Sequence, residues 1–401
     1  MRNIRLKESK VVIAVHEAIP VGPSHDLRDF LLENKIQELL FIAHPLTFLK
    51  EFYKKSSRYE MYREGKLISK KTAFHYRLPD VLLYGKDVFY SIFWSLLQDK
   101  KFDAYIGIDP LNAFAGLVLK KLGKVEKVAY YSIDYFTNRF ENKILNKIYH
   151  FIDKLCVKNA DETWNLSSMM ALAREQYNHM DRKIFNTQIT VPIGVWVNKV
   201  KRKKFNEINK KKIVFIGSFL PLMGIDLILE AMPIIARKIP NIQLDIVGGG
   251  PEDVSLRQLA SNLEMDKNIK FHGWVSKKER LEKILSDAAV GLAPFNTLIL
   301  DDQVRNADPA KLKDYMLWGM PVIVTDAIAN SKQIENAGCG IVIEYKVEDL
   351  VDAVIKLLLD ESLLKQYRRN AVSFVEQFDY ERIFSDNINR LLGGTGGNDK
   401  R

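Results

Sequence analysis

The sequence predicts an α/β protein of two doubly wound parallel-sheet domains, and three observations carry the prediction. Short apolar, β-branched runs alternate with amphipathic helical stretches through the first half, and the alternation restarts in the second. Between the two sets lies KVKRKKFNEINKKK (199–212), polar, strongly basic and without hydrophobic period. At 401 residues the chain also exceeds what one core usually serves. The expected division is a first Rossmann-like domain over residues 1–198, a linker over 199–211, a second domain over 212–373 and a flexible tail over 393–401.

In the first set, Val11–Val15 reads as a short buried strand followed by the loop HEAIPVGPS. Ser24 is placed to N-cap a helix running to about Leu32. Leu39–Ala43 is a second strand and Asp80–Leu83 a weaker candidate. Val88–Leu97, rich in Phe, Tyr and Trp, reads as a helix with a core-facing aromatic stripe. Strands Tyr105–Ile108 and Lys127–Ser132 flank the helix Leu111–Leu122. Asp153–Ala160 and Glu162–Asn165 continue toward a further strand, and Val191–Gly194 leads out.

The second set is more regular. Its strands are Lys212–Ile216, Ile242–Val247, Ile269–His272, Val290–Ala293, Val322–Thr325 and Gly340–Ile343. Helices Ile225–Lys238, Val254–Leu263, Lys278–Leu285 and Ala310–Trp318 lie between them. Val347–Leu359, Glu361–Phe378 and Tyr380–Leu392 close the chain.

Composition excludes several classes. No apolar run reaches the roughly 18–20 residues that span a bilayer. The N-terminus leads into a first strand, so it is not expected to be a signal peptide. Two cysteines, Cys156 and Cys339, lie far apart, which argues against a disulfide framework or zinc site and for a reducing cytoplasm. The formal charge is +10, unevenly spread. Between Lys50 and Lys86 ten Lys/Arg face four acids, interleaved with Phe and Tyr residues such as Phe52, Tyr53, Tyr59, Tyr62, Phe74 and Tyr76. That pattern suits an anionic membrane surface, or equally a solvated helical face with its rings turned inward. Nucleic acid is not expected, because no recognition motif accompanies the charge.

The most informative stretch is Asp308–Asp326, DPAKLKDYMLWGMPVIVTD. A short helix carrying Lys311 and Asp314 runs into Gly319, and Pro321 opens an apolar strand. The helix N-terminus offers unpaired N–H groups and a positive dipole end to a phosphate. Asp314, one turn in, is placed to accept hydrogen bonds from the vicinal hydroxyls of a ribose. Gly248–Gly250 before Pro251 is not GxGxxG and reads as a strand-to-helix turn.

Four segments in order, IVFIGSFLPLMGIDLILEAM, LDIVGGGPEDVSLRQLA, IKFHGWVSKKERLEKILSDAAVGLAPF and PAKLKDYMLWGMPVIVTD, resemble the nucleotide-sugar domain of GT-B glycosyltransferases, most closely glycosyltransferase family 4. AYIGIDPLNAFAGLVLKKLG, YYSIDYF and NADETWNLSSMM look like a member's acceptor domain. The resemblance implies two Rossmann-like domains facing an interdomain cleft, with the last helix (about 374–392) packing back on the first domain. It further implies a metal-independent, retaining hexosyl transfer from a nucleotide sugar, the co-substrate, to a glycan or glycolipid acceptor, with no other cofactor. A place in cell-surface polysaccharide or lipid-linked glycan synthesis, at the inner face of the membrane, follows from the same likeness.

Residue by residue, the resemblance puts Asp314 at the ribose and Asn306 where a Glu normally faces the donor sugar. The Asn306–Lys311 backbone, with Asp308, Lys311 and Leu312, lines the sugar and phosphate site. Gly217 and the loop amides cradle phosphate, while Ser218 and Met223 stand where members carry an Arg and a Lys. Lys311, or more weakly Arg305, is expected to replace one of those cations. Gly273 to Val275 meets the nucleobase, and His272 is structural. In the first domain Asp109, Asp134 and His25 are candidates for orienting the acceptor or taking its proton. Each aspartate reads equally well as a cap of the following helix, and His25 as a residue of a capping region. Asp301 and Asp302 are not expected to bind metal, and no metal site is predicted. Two rivals remain in view: a sugar-nucleotide epimerase, and a catalytically silent subunit that docks a partner or membrane.

Overall fold

The computed structural model describes residues 5–17, 21–46, 56–74, 79–299, 308–328 and 330–393. The chain divides into two compact units, Met1–Pro192 with Tyr380–Arg401, and Ile193–Asp379.

The first unit is built on an eight-stranded sheet. Its strands are β1 (Lys10–Glu17), β2 (Glu38–Pro45), β3 (Arg58–Arg63), β4 (Lys66–Thr72), β5 (Phe102–Ile108), β6 (Val125–Ser132), β7 (Glu162–Asn165) and β8 (Thr187–Thr190). Their order is β4-β3-β2-β1-β5-β6-β7-β8. All neighbours from β2 to β8 are parallel. The central strands are buried almost throughout, as a sheet covered on both faces requires. The helices are α1 (Pro23–Glu33), α2 (Asp80–Leu96), α3 (Pro110–Lys121), α4 (Lys143–Asn159) and α5 (Met169–Asn178). Strand order reverses between β1 and β5, so the crevice at their carboxyl ends is the expected ligand position.

Three local readings change. Asp80–Leu83, weighed as a weak strand, opens α2 instead. Leu83, Asp87, Ser91, Trp94 and Ser95 are buried at helical spacing, and the polar members hide that period from an apolar count. Residues 58–72 of the basic aromatic stretch form an antiparallel hairpin rather than a helical face. Its turn residues Glu64 and Gly65 take φ of 50° and 80°, the left-handed pair that two-residue hairpins favour. Lys66, Lys70 and Lys71 stand on its exposed edge strand, where charge discourages further pairing. Helix α1 is preceded by Gly22, without a side-chain cap, and Ser24 lies buried inside it.

The second unit carries a six-stranded sheet of β9 (Lys212–Ser218), β10 (Gln243–Gly249), β11 (Ile269–Gly273), β12 (Val290–Ala293), β13 (Val322–Thr325) and β14 (Gly340–Ile343). All its pairs are parallel, in the order β11-β10-β9-β12-β13-β14. This is the 3-2-1-4-5-6 order of dinucleotide-binding sheets, with its switch point between β9 and β12. One face packs on α6 (Ile225–Lys238), α7 (Asp253–Asn262) and α11 (Val347–Leu359) through Ile228, Met232, Leu256 and Val354. The other packs on α8 (Lys278–Leu285), α9 (Ala310–Leu317), α10 (Ser331–Asn336) and α12 (Glu361–Val375) through Ile284, Met316, Ile334 and Val375.

Residues 199–211, read from their charge as a linker, are part of this unit. Ile208 is buried in its core, and Phe205 packs against the same cluster. Asn209 N donates to the Asp287 carbonyl at 2.9 Å. Three apolar side chains among seven cations were too few to register as a period. Helix α13 (Tyr380–Leu391) lies in the first unit, where Phe384 meets Phe30 and Arg390 pairs with Glu162 at 3.0 Å.

Candidate functional site

In the second unit the carboxyl ends of β9 and β10 come together tightly. An added Cβ on Gly248 (φ 143°) would lie 1.8 Å from the Gly217 carbonyl oxygen, so only glycine fits. Beside them, α9 directs Lys311 back across the switch point. Its Nζ lies 4.5 Å from the centre of the Phe215 ring on β9 and 5.0 Å from that of Phe295 just beyond β12. An added Cβ on Gly217 would sit 2.8 Å from that nitrogen. The Met223 sulfur is 3.4 Å away. No carboxylate among the described residues lies within ion-pair distance, and burial pushes the Lys311 pKa down to about 7. Lys311 therefore stands against Gly217 and Met223, where the loop itself lacks cations.

Its neighbours on α9 do other work. Lys313 is buried and ion-paired with Asp308, and donates to the Ile193 carbonyl at 2.5 Å. Asp308 also accepts from Ile193 N at 3.0 Å. That pair anchors the helix start, so Asp308 is engaged in structure. Leu312 is a core residue. Asp314 is half-buried one turn from Lys311. Gly273 takes φ 67° with open space where a Cβ would point, and Val275 is half-buried beside it. Ser218 is exposed at the end of β9. His272 sits 3.0 Å from Asp245, which also pairs with Lys212 at 2.8 Å, a structural setting. Asn306, Arg305, Asp301 and Asp302 lie outside the described residues.

Sequence reasoning missed Tyr315. Its hydroxyl accepts from Ile216 N at 2.7 Å and donates to the Leu292 carbonyl at 3.1 Å, tying β9 to β12. The available signal was Gly291, a glycine inside an apolar strand: a Cβ there would lie 2.3 Å from the Tyr315 ring.

The first unit gathers charge at its own switch point. His16, near the end of β1, places Nδ1 2.6 Å from Asp109, which follows β5. Burial opposes the imidazolium, but Asp109 and then Asp87 outweigh it and push the His16 pKa up to about 10. His16 Nδ1–H is thus the donor to an ionised Asp109. Asp109 also caps α3, accepting from Asn112 N at 3.0 Å, and takes φ 76° to do so. Burial is the largest influence on its pKa and raises it, but His16, the Asn112 N–H and Arg139 together lower it, leaving a poor proton acceptor. Asp87, on α2, lies 3.3 Å from His44 and accepts from Ser57 at 2.8 Å.

Asp134 differs. Burial pushes its pKa up against the pull of Arg139, 3.2 Å away, and a third of its side chain is exposed. Of the two aspartates it is the better suited to take a proton. His25 is buried 2.8 Å from Glu17, which Arg58 neutralises at 2.6 Å. Burial, then Arg28, holds His25 neutral with a pKa of about 4. Asp109 and His25 thus gather at the end of β1, and Asp134 follows β6. Among the described residues no group of three or more His, Cys, Asp or Glu is placed to hold a metal ion.

Two sheets of this topology define the class: the chain is a GT-B-fold protein. HepE of Anabaena, solved in complex with UDP and glucose, superposes over 96% of this chain and 100% of its own, with a TM-score of 0.67 at 13% identity. The family follows from the second unit, whose residues 197–374 match the family model of glycosyl transferases group 1 and form a domain of that family. An uncharacterized glycosyltransferase of Haemophilus influenzae is 22% identical over 50% of this chain and 55% of its own. A GDP-mannose-dependent alpha-(1-6)-phosphatidylinositol monomannoside mannosyltransferase of Mycobacterium tuberculosis is 28% identical over 40% and 41%. The chain thus spans about half the length of the curated relatives it matches.

Proposed function

We propose that the protein transfers a sugar from a nucleotide-sugar donor to an acceptor hydroxyl, with the donor diphosphate held between the Gly217 turn and Lys311. The observation that carries this reading is Lys311 itself. A buried amine with no ion-paired carboxylate among the described residues, above a glycine turn at the switch point, is a cation awaiting an anion. A bound diphosphate restores its charge and stabilises the leaving group, in place of the Arg and Lys that Ser218 and Met223 replace. Asp314 takes the ribose hydroxyls, and Gly273 with Val275 the base.

In the reaction the acceptor oxygen bonds to the anomeric carbon as the bond from that carbon to the diphosphate breaks. The acceptor attacks from the face that the diphosphate leaves, which retains configuration, and its proton passes to the departing phosphate oxygen. Lys311 and the loop amides carry the leaving-group charge, so EDTA is expected to leave the rate unchanged.

The test is calorimetric titration of UDP, GDP, UDP-glucose and GDP-mannose, the nucleotides and sugars named for the related proteins. Lys311→Met should weaken the binding nucleotide by about 1.5–3 kcal/mol, the worth of a hydrogen bond to a charged group, roughly ten- to a hundredfold in Kd. Asp314→Asn should weaken the nucleotide but not inorganic pyrophosphate. A well-folded wild type that binds none of the four sinks the reading and favours a silent subunit.

We also propose that the protein works at an anionic membrane surface. No described helix is long and apolar enough to cross a membrane. In the first unit α2 exposes Leu82, Phe89, Phe93 and Leu96, and α4 exposes Ile144, Ile148 and Phe151. Lys143, Lys147 and Lys154 accompany the α4 side chains. Apolar and basic residues on one helix suit an interfacial position, and a lipid-linked acceptor would be met there. Co-sedimentation with phosphatidylglycerol vesicles, lost in Ile148→Asp/Phe151→Asp, is the expected result. Equal sedimentation of the variant would exclude this face.

A further inference from the structure

We infer that the second unit carries a separate anion site, at the edge of its sheet opposite Gly217 and Lys311, that takes a phosphoryl group. A cavity of about 310 Å³ opens there, lined by Arg202, Phe205, Trp318, Lys365, Arg368 and Arg369 among others. That volume is at the small end of ligand pockets, roughly 300–1,000 Å³. Its position follows from the hydrogen bonds. Arg368 donates to the carbonyls of Ala288 and Ala289, immediately before β12, and to that of Trp318, a few residues before β13. These are the amino ends of the strands, whereas Lys311 lies at the carboxyl ends.

The cavity is cationic, with no ion pair among the described residues to close its guanidinium groups. Arg368 is only 7% exposed, yet its guanidinium donates to three carbonyls and, among the described residues, pairs with no carboxylate. Arg202 donates Nε–H to the Leu317 carbonyl at 2.6 Å, while its Nη2 is buried with no hydrogen-bond partner. Burial pulls the pKa of both guanidinium groups down, that of Arg368 to about 10, and the charge of Glu376 offsets it only in part at Arg202. Lys365 and Arg369 flank Arg368 on the same face of α12 and are exposed. Among the described residues none of Arg202, Lys365, Arg368 and Arg369 has a carboxylate within ion-pair distance. Lys203, also on the wall, is neutralised by Asp287 at 2.8 Å.

A buried guanidinium without a counter-charge is expensive unless an anion completes it. Forked N–H donors match phosphate oxygens, and Arg is the residue suited to that bidentate grip. Phe205 and Trp318 give the cavity an aromatic wall against which the rest of a phosphorylated ligand can pack. The phosphoryl group is the shared chemistry; it belongs either to a soluble phosphate ester or to a lipid headgroup. The inference stands apart from the donor site, since none of these residues takes part in it.

The test is titration of inorganic pyrophosphate into wild type, Lys311→Met and Arg202→Met. Wild type should show two classes of binding. Lys311→Met should abolish one, and Arg202→Met should weaken the other at least tenfold while leaving nucleotide binding unchanged. The exposed pair Lys365→Met/Arg369→Met is the second variant, should Arg202→Met fail to fold, and the same loss is expected. An unchanged second class in these variants overturns the site, as does an equal loss in Lys201→Met/Lys204→Met, which would mean diffuse surface charge. Phosphatidylglycerol vesicles separate the sources: co-sedimentation reduced by Lys365→Met/Arg369→Met identifies a headgroup, and co-sedimentation unchanged while pyrophosphate binding falls identifies a soluble phosphate.

Discussion

The two units differ in how completely they pair buried charge: the second closes Lys313 with Asp308 and Lys212 with Asp245, yet among the described residues it leaves other cations without a carboxylate. In the first, charges are closed in pairs and networks. Arg174 and Asp153 are both fully buried, 2.9 Å apart, and Tyr130, Ser132 and Asn165 complete their hydrogen bonds. His16 is bracketed by Asp109 and Asp87. In the second unit, Lys311, Arg202 and Arg368 are held by rings, a thioether and carbonyls. A closed network fixes structure and has no valence left for a ligand, whereas an open cation adds little to the fold and is poised for an anion. The contrast locates ligand sites from charge balance alone.

The contrast breaks most visibly where a closed pair is opened. Asp153→Ala leaves Arg174 buried and uncompensated, which costs about 3–5 kcal/mol. Urea denaturation should show that loss as a fall in midpoint. Arg174→Met with Asp153→Leu, removing both charges, should recover much of it, because apolar replacement of a whole buried pair is often neutral. Lys311→Met removes a charge with no carboxylate partner among the described residues, so it should leave stability unchanged or raised. Equal losses for Asp153→Ala and Lys311→Met would erase the distinction.

Opposite pH responses sharpen it next. His16 has its pKa raised, so the stability it contributes is complete below about 6.5, its ordinary value, and is lost as pH rises through about 10. Lys311 has its pKa lowered to about 7. Its penalty is therefore complete below pH 7 and is relieved as pH rises toward its ordinary value of about 10.4. Each slope approaches about 1.4 kcal/mol per pH unit at most. Between pH 7 and 9, His16→Gln should make stability rise more steeply with pH than in wild type, and Lys311→Met should make it rise less. Nucleotide affinity should fall over the same range as the free amine loses its proton, and Lys311→Met should remove that fall.

The same contrast explains what the sequence disclosed. The second unit was readable element by element, since each strand is a short apolar run bounded by polar loops, and Val347–Leu359 forms at its expected bounds. Lys311 was identifiable from its place before Gly319; that its nitrogen meets Gly217, 94 positions earlier, was not. His16 and Asp87 escaped for the same reason, and Asp109 was named without its partner His16, 93 residues away. On α2, Asp87 and Ser91 imitate a surface face, and on β4 three lysines imitate a solvated helix. Polar residues that fold inward carry no periodic signal of their own. Arg202 and Arg368 were hidden similarly, one within a basic run that looked like a linker, the other in an amphipathic helix.

The smallest expected effect tests whether pairing alone, without burial, sets the difference. Lys278 and Glu282 lie one turn apart on α8 with their charges 3.8 Å from each other, and the lysine side chain is 70% exposed. Water screens such a pair, and i,i+4 pairs on helices contribute only about 0.3–0.5 kcal/mol. Lys278→Ala should therefore shift the urea midpoint barely beyond error, and added salt should shrink even that. A loss approaching that of Asp153→Ala would mean that pairing carries the energy wherever it occurs. The small loss expected instead assigns it to burial, and that is why an unpaired buried cation, rather than an unpaired surface one, marks a site.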